Sequence, residues 1–119
     1  MPDLSRKEVI IILASTENAR LAGIDLSGLS LQGLNFAGAD LIRANLSGAD
    51  LSNAYMRHAQ FEDANLRDAK FVNANLKEAN FKGADLTGAD LSGARLTDAN
   101  LFGVDLSRTR TDGAEGLVV

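Results

Sequence analysis

The residues of this chain that could do chemistry are almost all carboxylates. Aspartate recurs immediately before a leucine, as at Asp40, Asp50, Asp85 and Asp90, whereas His58 is the single histidine and cysteine is absent. Paired carboxylates can serve as general acid and base, while most transition-metal sites and activated nucleophiles need histidine or cysteine. The spacing of the aspartates therefore decides whether they form a site or a structural pattern.

The aspartates belong to a five-residue repeat. From residue 21 to residue 106 a large apolar residue returns at every fifth position in 18 copies, of which 13 are Leu, four are Phe and one is Met56. Ala stands two residues earlier in 14 copies, and Asp or Asn stands immediately before the apolar residue in 12. Carboxylates that recur by this rule form a solvated ladder rather than a catalytic pair. We predict no catalytic, cofactor or metal site and no enzyme activity.

The pattern inside each unit predicts a β-solenoid. In extended backbone, residues two apart point to the same side, so the Ala and the large apolar residue face inward and the Asp or Asn faces outward. Two residues after the large apolar position, between residues 23 and 113, ten of 19 residues are Gly and five are Asn or Asp. These types tolerate positive φ, so the chain turns there. We call this the corner position, and repeated corners make a coil with an apolar interior.

Two stretches carry a family resemblance: ADLIRANLSGADLSN at residues 39–53 and ANFKGADLTGADLSGARLTDANLFG at residues 79–103. They resemble the pentapeptide repeat family, whose pattern is A-[DN]-[LF]-x-x, and the resemblance extends over residues 19 to about 113. It implies an all-β fold, a right-handed quadrilateral β-helix with four pentapeptides per coil and about 4.5 coils. It also suggests a cyanobacterial source.

The two ends of the array differ from its middle. Ser5 and Glu8 have the spacing of a capping box, so we expect a helix over about residues 6–15 that covers the open end of the first coil with Val9, Ile12 and Leu13. The β-branched run in this segment would equally suit a strand. The bulky residues that replace Ala near the start would widen the first coil or meet the helix; they are Ile24, Leu29 and Leu34.

These patterns divide the chain into a capping helix at residues 1–18, a β-helix at residues 19–113 and a tail at residues 114–119. The tail residues Leu117, Val118 and Val119 are expected to fold over the last coil, to join a dimer contact or to stay frayed. The longest apolar run, Val9–Ala14, is too short to span a bilayer, so we expect no membrane association and a cytoplasmic location.

The outward positions offer a weak candidate for a partner-binding patch: Tyr55, Arg57, His58, Lys77 and Arg95. These residues lie on or next to one predicted face of the coil. His58 occupies a corner position, which is held mostly by Gly, Asn or Asp, so its turn is expected to differ in type. A lone exposed histidine is a poor candidate for metal binding or catalysis, and neutral surface variation is the simplest explanation of the stretch.

Two functions remain. The first is a non-catalytic scaffold that binds an unknown protein, as a monomer or as a dimer through the C-terminal end. The second follows from the resemblance: some family members protect DNA gyrase by imitating duplex DNA, so the chain would modulate a topoisomerase. A mimic needs a long, strongly acidic rod, whereas residues 19–119 carry 13 acidic and 10 basic side chains. With a net charge of −4, direct nucleic-acid binding is not expected.

Overall fold

The computed structural model describes residues 2–117 and consists of one helix followed by a β-solenoid. Helix α1 spans Arg6–Ser15. The β-bridges of the solenoid are isolated and parallel, and each joins residue i to residue i+20, from Arg20 with Asp40 to Arg95 with Glu115. One coil therefore holds 20 residues, which is four five-residue units. The described molecule measures 37 × 25 × 20 Å.

Each unit turns through a tight corner. At a typical corner the N–H of Ala44 donates to the carbonyl of Leu41 at 3.0 Å, and Arg43 between them has a φ of 58°. This hydrogen bond with positive φ at the third residue of four is the signature of a type II turn. Positive φ occurs at every corner position from 23 to 113 except Arg108.

The corner at His58 follows the common geometry. Its φ is 63°, and the N–H of Ala59 donates to the carbonyl of Met56 at 3.0 Å. The expectation of a different turn type there is therefore wrong. The coil above and the coil below fix the turn geometry through the backbone, so His58 adopts positive φ despite the strain that its Cβ introduces.

The interior is dry and apolar. Every large repeat residue from Leu21 to Leu96 is at most 1% exposed, and within residues 2–117 no polar or charged residue is buried. Aromatic rings stack from coil to coil: the rings of Phe61 and Phe81 lie 4.9 Å apart and nearly parallel, with Phe71 edge-on to both. The inward direction predicted for the Ala and large apolar positions is confirmed in the middle of the array.

The Asp or Asn before each large apolar residue has a local structural role. Its Oδ1 accepts a hydrogen bond from the backbone N–H two residues later, as from Thr87 to Asp85 at 3.0 Å and from Ser47 to Asn45 at 3.0 Å. Such side-chain bonds stabilise the entry to a turn. The hydroxyl and backbone N–H of Thr87, with Arg67, lower the pKa of Asp85. The same bond is formed at Asp25, Asn35, Asp40, Asp50, Asn65, Asn75, Asn80, Asp90, Asn100 and Asp105.

The N-terminal segment closes the first coil in two ways. The capping box is formed, with the N–H of Glu8 donating to Ser5 Oγ and the N–H of Ser5 donating to Glu8 Oε1, and Val9 of α1 is fully buried. Asp3 pairs with the coil edge: its N–H donates to the carbonyl of Asp25 at 2.6 Å, and its Oδ2 accepts from the N–H of Asp25 at 2.8 Å. An edge that is paired in this way cannot take up another strand.

At the C-terminal end the apolar interior is only partly covered by the described residues. Leu101, Val104 and Leu106 are partly exposed, and the outward side chain of Phe102 is 72% exposed. The last bridge includes Glu115, so the ladder reaches two residues beyond the predicted boundary at residue 113.

The tail beyond that bridge packs closely on the preceding coil. A Cβ at Gly116 would lie 2.5 Å from the backbone nitrogen of Thr97, so only glycine fits there, and Leu117 packs partly buried on the core. The expectations for Val118 and Val119 lie outside the described residues.

We predict that Leu66→Ala lowers the free energy of unfolding by about 2–5 kcal/mol, because it leaves a cavity in the closed middle of the core. Leu66 is fully buried. The matched control is Arg57→Ala, whose side chain is 45% exposed and whose loss should cost below about 1 kcal/mol. Urea unfolding followed by circular dichroism measures both variants. Equal midpoints would contradict the assignment of inward and outward positions.

We also predict acid-induced destabilisation. Hydrogen bonds from Ser27 lower the pKa of Asp25, and those from Ser92, against some burial, lower that of Asp90. Because an unfolded Asp has a pKa of about 3.9, the stabilisation is present above that pH and is lost as the pH falls through the lower folded values. The melting temperature should therefore change little from pH 7 to about pH 5 and fall below about pH 4.

The control for this prediction is the triple variant Asp25→Asn, Asp85→Asn and Asp90→Asn. Asparagine forms the same turn hydrogen bond at Asn45 and Asn65 and has no carboxylate to protonate. The variant should lose less stability than the parent chain between pH 6 and pH 3. An equal loss in both proteins would show that these carboxylates do not cause the acid sensitivity.

Candidate functional site

The five residues of the candidate patch lie along one side of the solenoid. Tyr55 and Arg95 belong to the same ladder, with Asn75 between them. Neighbouring ladder positions are about 4.8 Å apart, so these three side chains emerge one above the other. Arg57 and His58 follow the buried Met56 at the next corner, and the N–H of His58 donates to the carbonyl of Lys77 at 3.1 Å.

Glu78 connects two members of the patch. Its Oε1 lies 3.0 Å from Arg57 Nη2, and its Oε2 lies 3.0 Å from His58 Nε2. The hydrogen bond and the charge of Glu78 raise the pKa of Arg57 above its ordinary value. Both partners of Glu78 stay about half exposed, at 45% and 59% of their side-chain surface. One carboxylate therefore holds two outward side chains in place without removing them from solvent.

Tyr55 and Arg95 line an open groove of about 440 Å³. Asn53, Asn73 and Asn75 contribute amides to its walls, and Ala54, Gly93 and Glu115 complete the lining. Tyr55 is 42% exposed and is the largest apolar surface in the groove. The structure thus brings Tyr55 and Arg95 into one groove and joins Arg57 and His58 through Glu78. Lys77 lies one coil after Arg57 and belongs to neither group.

The arrangement suits contact rather than catalysis. The groove presents a phenol, a guanidinium, several amides and the single carboxylate of Glu115, which donate and accept hydrogen bonds, and its lining holds no second carboxylate or histidine to complete a pair of that kind. Among residues 2–117 no three His, Cys, Asp or Glu side chains are grouped so that they could hold a metal ion. Within the same range, no helix is both long enough and apolar enough to cross a membrane.

Two features of the outer surface were not predicted from the sequence. The first is the bonding of Glu78 to both Arg57 and His58, which lie on the preceding coil. A second ladder alternates in charge from Asp50 through Lys70 and Asp90 to Arg110. Burial raises the pKa of Asp50, but hydrogen bonds from Ser52 and Gln32 and the charge of Lys70 outweigh it, so that pKa is lowered. Reading the sequence at intervals of 20 residues places these residues next to one another but does not show which side chains form bonds.

Solved structures share this architecture. A pentapeptide repeat protein of the Arabidopsis thaliana thylakoid lumen is 34% identical, with a TM-score of 0.70, over 74% of this chain and 61% of its own. HetL of the cyanobacterium Nostoc is 30% identical, with a TM-score of 0.82, over 93% of this chain and 48% of its own. A third, alr5209 of Nostoc, is 26% identical, with a TM-score of 0.78, over 96% of this chain and 88% of its own.

The chain thus spans about half to two thirds of the length of the first two of these structures. A search of curated proteins finds no match. The family model for pentapeptide repeats matches residues 19–57, 44–83 and 59–98, which together cover residues 19–98. The chain is therefore a member of the pentapeptide repeat family.

Proposed function

We propose that the chain is a non-catalytic scaffold that binds another protein through the side carrying Tyr55 and Arg95. The observation that supports this most directly is the groove, where an exposed tyrosine and an exposed arginine stand two coils apart on one ladder. Tyr and Arg are enriched among the residues that contribute most to protein–protein binding. The scaffold would have the right-handed quadrilateral form with about 4.5 coils implied by the repeat.

Rigidity favours such a role. The backbone of each coil is bonded to the next, for example from the N–H of Met56 to the carbonyl of Asn75 at 2.8 Å and from the N–H of Asn75 to the carbonyl of Ala54 at 3.0 Å. Side chains that are already positioned lose less conformational entropy on binding. A protein ligand is favoured over nucleic acid because the chain carries a net charge of −4.

A regulatory role fits the comparisons. HetL, whose structure matches 93% of this chain, is involved in the regulation of heterocyst differentiation. A repeat scaffold without catalytic groups would regulate by occupying a surface of its partner. We further propose a cytoplasmic location and a cyanobacterial source, with a monomer or a dimer through the C-terminal end as the assembly. Partly exposed Leu101 and Leu106 at that end support the dimer.

The second candidate, a DNA mimic that modulates gyrase or another topoisomerase, has less support. The most acidic side carries Asp25, Asp85 and Asp105, but Arg67 lies within it and its Nη1 is 3.0 Å from Asp85 Oδ2. An ion pair on the surface cancels the charge that a mimic of the phosphate backbone has to present. The described rod is also only 37 Å long.

The scaffold proposal predicts that patch substitutions abolish capture of a specific partner. Tyr55→Ala with Arg95→Ala should reduce recovery of that partner from an extract of the source cell at least tenfold, because about 1.4 kcal/mol of lost binding free energy has this effect. Quantitative mass spectrometry of the captured proteins measures the recovery.

The control is Lys82→Ala, which removes an exposed cation from another side of the coil. It should leave recovery unchanged, and both variants should keep the melting temperature of the parent chain. If the patch and control variants recover the same proteins in equal amounts, the patch does not bind the partner.

For the topoisomerase alternative we predict no effect on DNA supercoiling. The purified chain at micromolar concentration should leave the rate of gyrase supercoiling unchanged, because its mixed surface lacks the continuous acidic strip of a DNA mimic. Agarose gel electrophoresis of plasmid topoisomers measures the rate. Dose-dependent inhibition or protection that disappears in Asp85→Lys would instead favour the mimic.

A further inference from the structure

The regular ladder is interrupted at one position near the C-terminal end. Between residues 20 and 115 every pair of ladder residues 20 positions apart is bridged except one, the pair Asp85 and Asp105. Gly88 donates its N–H to the carbonyl of Arg108 at 2.8 Å, whereas the equivalent Gly83 donates to Phe102, one residue earlier in the pattern. The ladder recovers where the N–H of Leu91 donates to Arg110 at 2.7 Å.

Arg108 lies within this irregular stretch. It occupies a corner position, yet it lacks the positive φ of the other corners. The side chain of Thr109 adds a bond between the two coils, because its Oγ1 donates to the carbonyl of Leu86 at 2.9 Å. Ladder irregularities of this kind redirect side chains and are common beside functional sites.

The interruption forms one wall of an open cleft of about 410 Å³. Three cationic side chains line the cleft, namely Lys70, Arg108 and Arg110, together with Ser107. Within residues 2–117 neither Lys70 nor Arg108 has a carboxylate oxygen within 4.0 Å, and Arg110 has one only at 3.8 Å, from Asp112. Side chains that lie two coils apart, Lys70 and Arg110, therefore bring positive charge to one cleft of a molecule whose net charge is −4.

Two carboxylates also line the cleft, Asp68 and Asp90, and Asp90 stands between Lys70 and Arg110 in the ladder. Asp90 Oδ1 accepts from the N–H and Oγ of Ser92. Asp68 Oδ1 lies over Gly88, in the space that a Cβ at that glycine would need. The cleft thus holds three cations against two carboxylates, which leaves a net positive charge, and among residues 2–117 the Arg108 guanidinium has no carboxylate oxygen within 4.0 Å.

We propose that this cleft binds a phosphate group, held by the guanidinium groups of Arg108 and Arg110 and by Lys70. Guanidinium matches the oxygens of phosphate with two parallel N–H donors, and lysine adds a point charge. The proposal is independent of the Tyr55 patch, which lies on a different side of the coil.

The test is a titration of the ¹⁵N-labelled chain followed by NMR. The measured quantities are the chemical shifts of the amide groups of Gly88, Thr109 and Arg110. Sodium phosphate is added at constant ionic strength, with sodium chloride as the salt control. We expect saturable shifts that chloride does not produce. O-phosphoserine and serine form two further arms. A response to phosphate alone indicates the free anion, and a stronger response to O-phosphoserine indicates a phosphorylated side chain.

The chain offers a matched pair of variants for this test. Arg108→Gly places the usual corner residue at position 108 and removes the cation, and it should weaken phosphate binding about tenfold or more, since each charge-assisted bond is worth about that factor. Arg43→Gly makes the same change at a corner with a φ of 58°, away from the cleft, and should bind phosphate as the parent chain does.

Arg108→Gln separates the charge from the backbone change. It keeps a long side chain at position 108 and should weaken binding as Arg108→Gly does. The proposal is overturned if the parent chain shows no saturable shift with phosphate. It is equally overturned if the Arg108 and Arg43 variants bind phosphate alike.

Discussion

The whole structure depends on one backbone constraint: the chain must turn once in every five residues, at every corner from 23 to 113 but Arg108 through positive φ, so that a coil closes after 20. Closing at 20 residues places each unit directly over its equivalent in the previous coil. Large apolar residues then stack on large apolar residues, as Phe81 does on Phe61. Backbone N–H and carbonyl groups meet in the same step, so packing and hydrogen bonding are satisfied by a single geometric rule.

That rule also explains which positions are free to vary. The inward Ala and large apolar positions are bounded by neighbouring coils, and the Asp or Asn before the large residue bonds to the turn that follows it. The side chain of the residue after the large apolar position neither packs in the core nor bonds to the turn. There the chain carries side chains as different as Arg57 and Phe102. Function in this fold is therefore carried by outward side chains on a backbone that changes little.

The two ends are unequal because only one is closed within the described residues. Helix α1 buries Val9 against the first coil, and Asp3 pairs with the exposed edge at Asp25. At the opposite end Leu101 and Leu106 are partly exposed, and the ladder is interrupted at Arg108. The proposed phosphate cleft and the proposed dimer contact both lie toward this less regular end.

The sequence alone was sufficient to predict the solenoid fold, because the inward and outward positions repeat every five residues and the corner residues are mostly Gly, Asn or Asp. The capping box at Ser5 and Glu8 could also be predicted from the sequence, because it involves only residues that are three apart. The sequence did not indicate that His58 would keep the common turn, because the neighbouring coils impose that geometry. Nor did it reveal the bond from Glu78 to His58, the close approach of Gly116 to Thr97 or the cleft beside Arg108. Each of these joins residues about 20 positions apart, and only the closed coil brings such residues into contact.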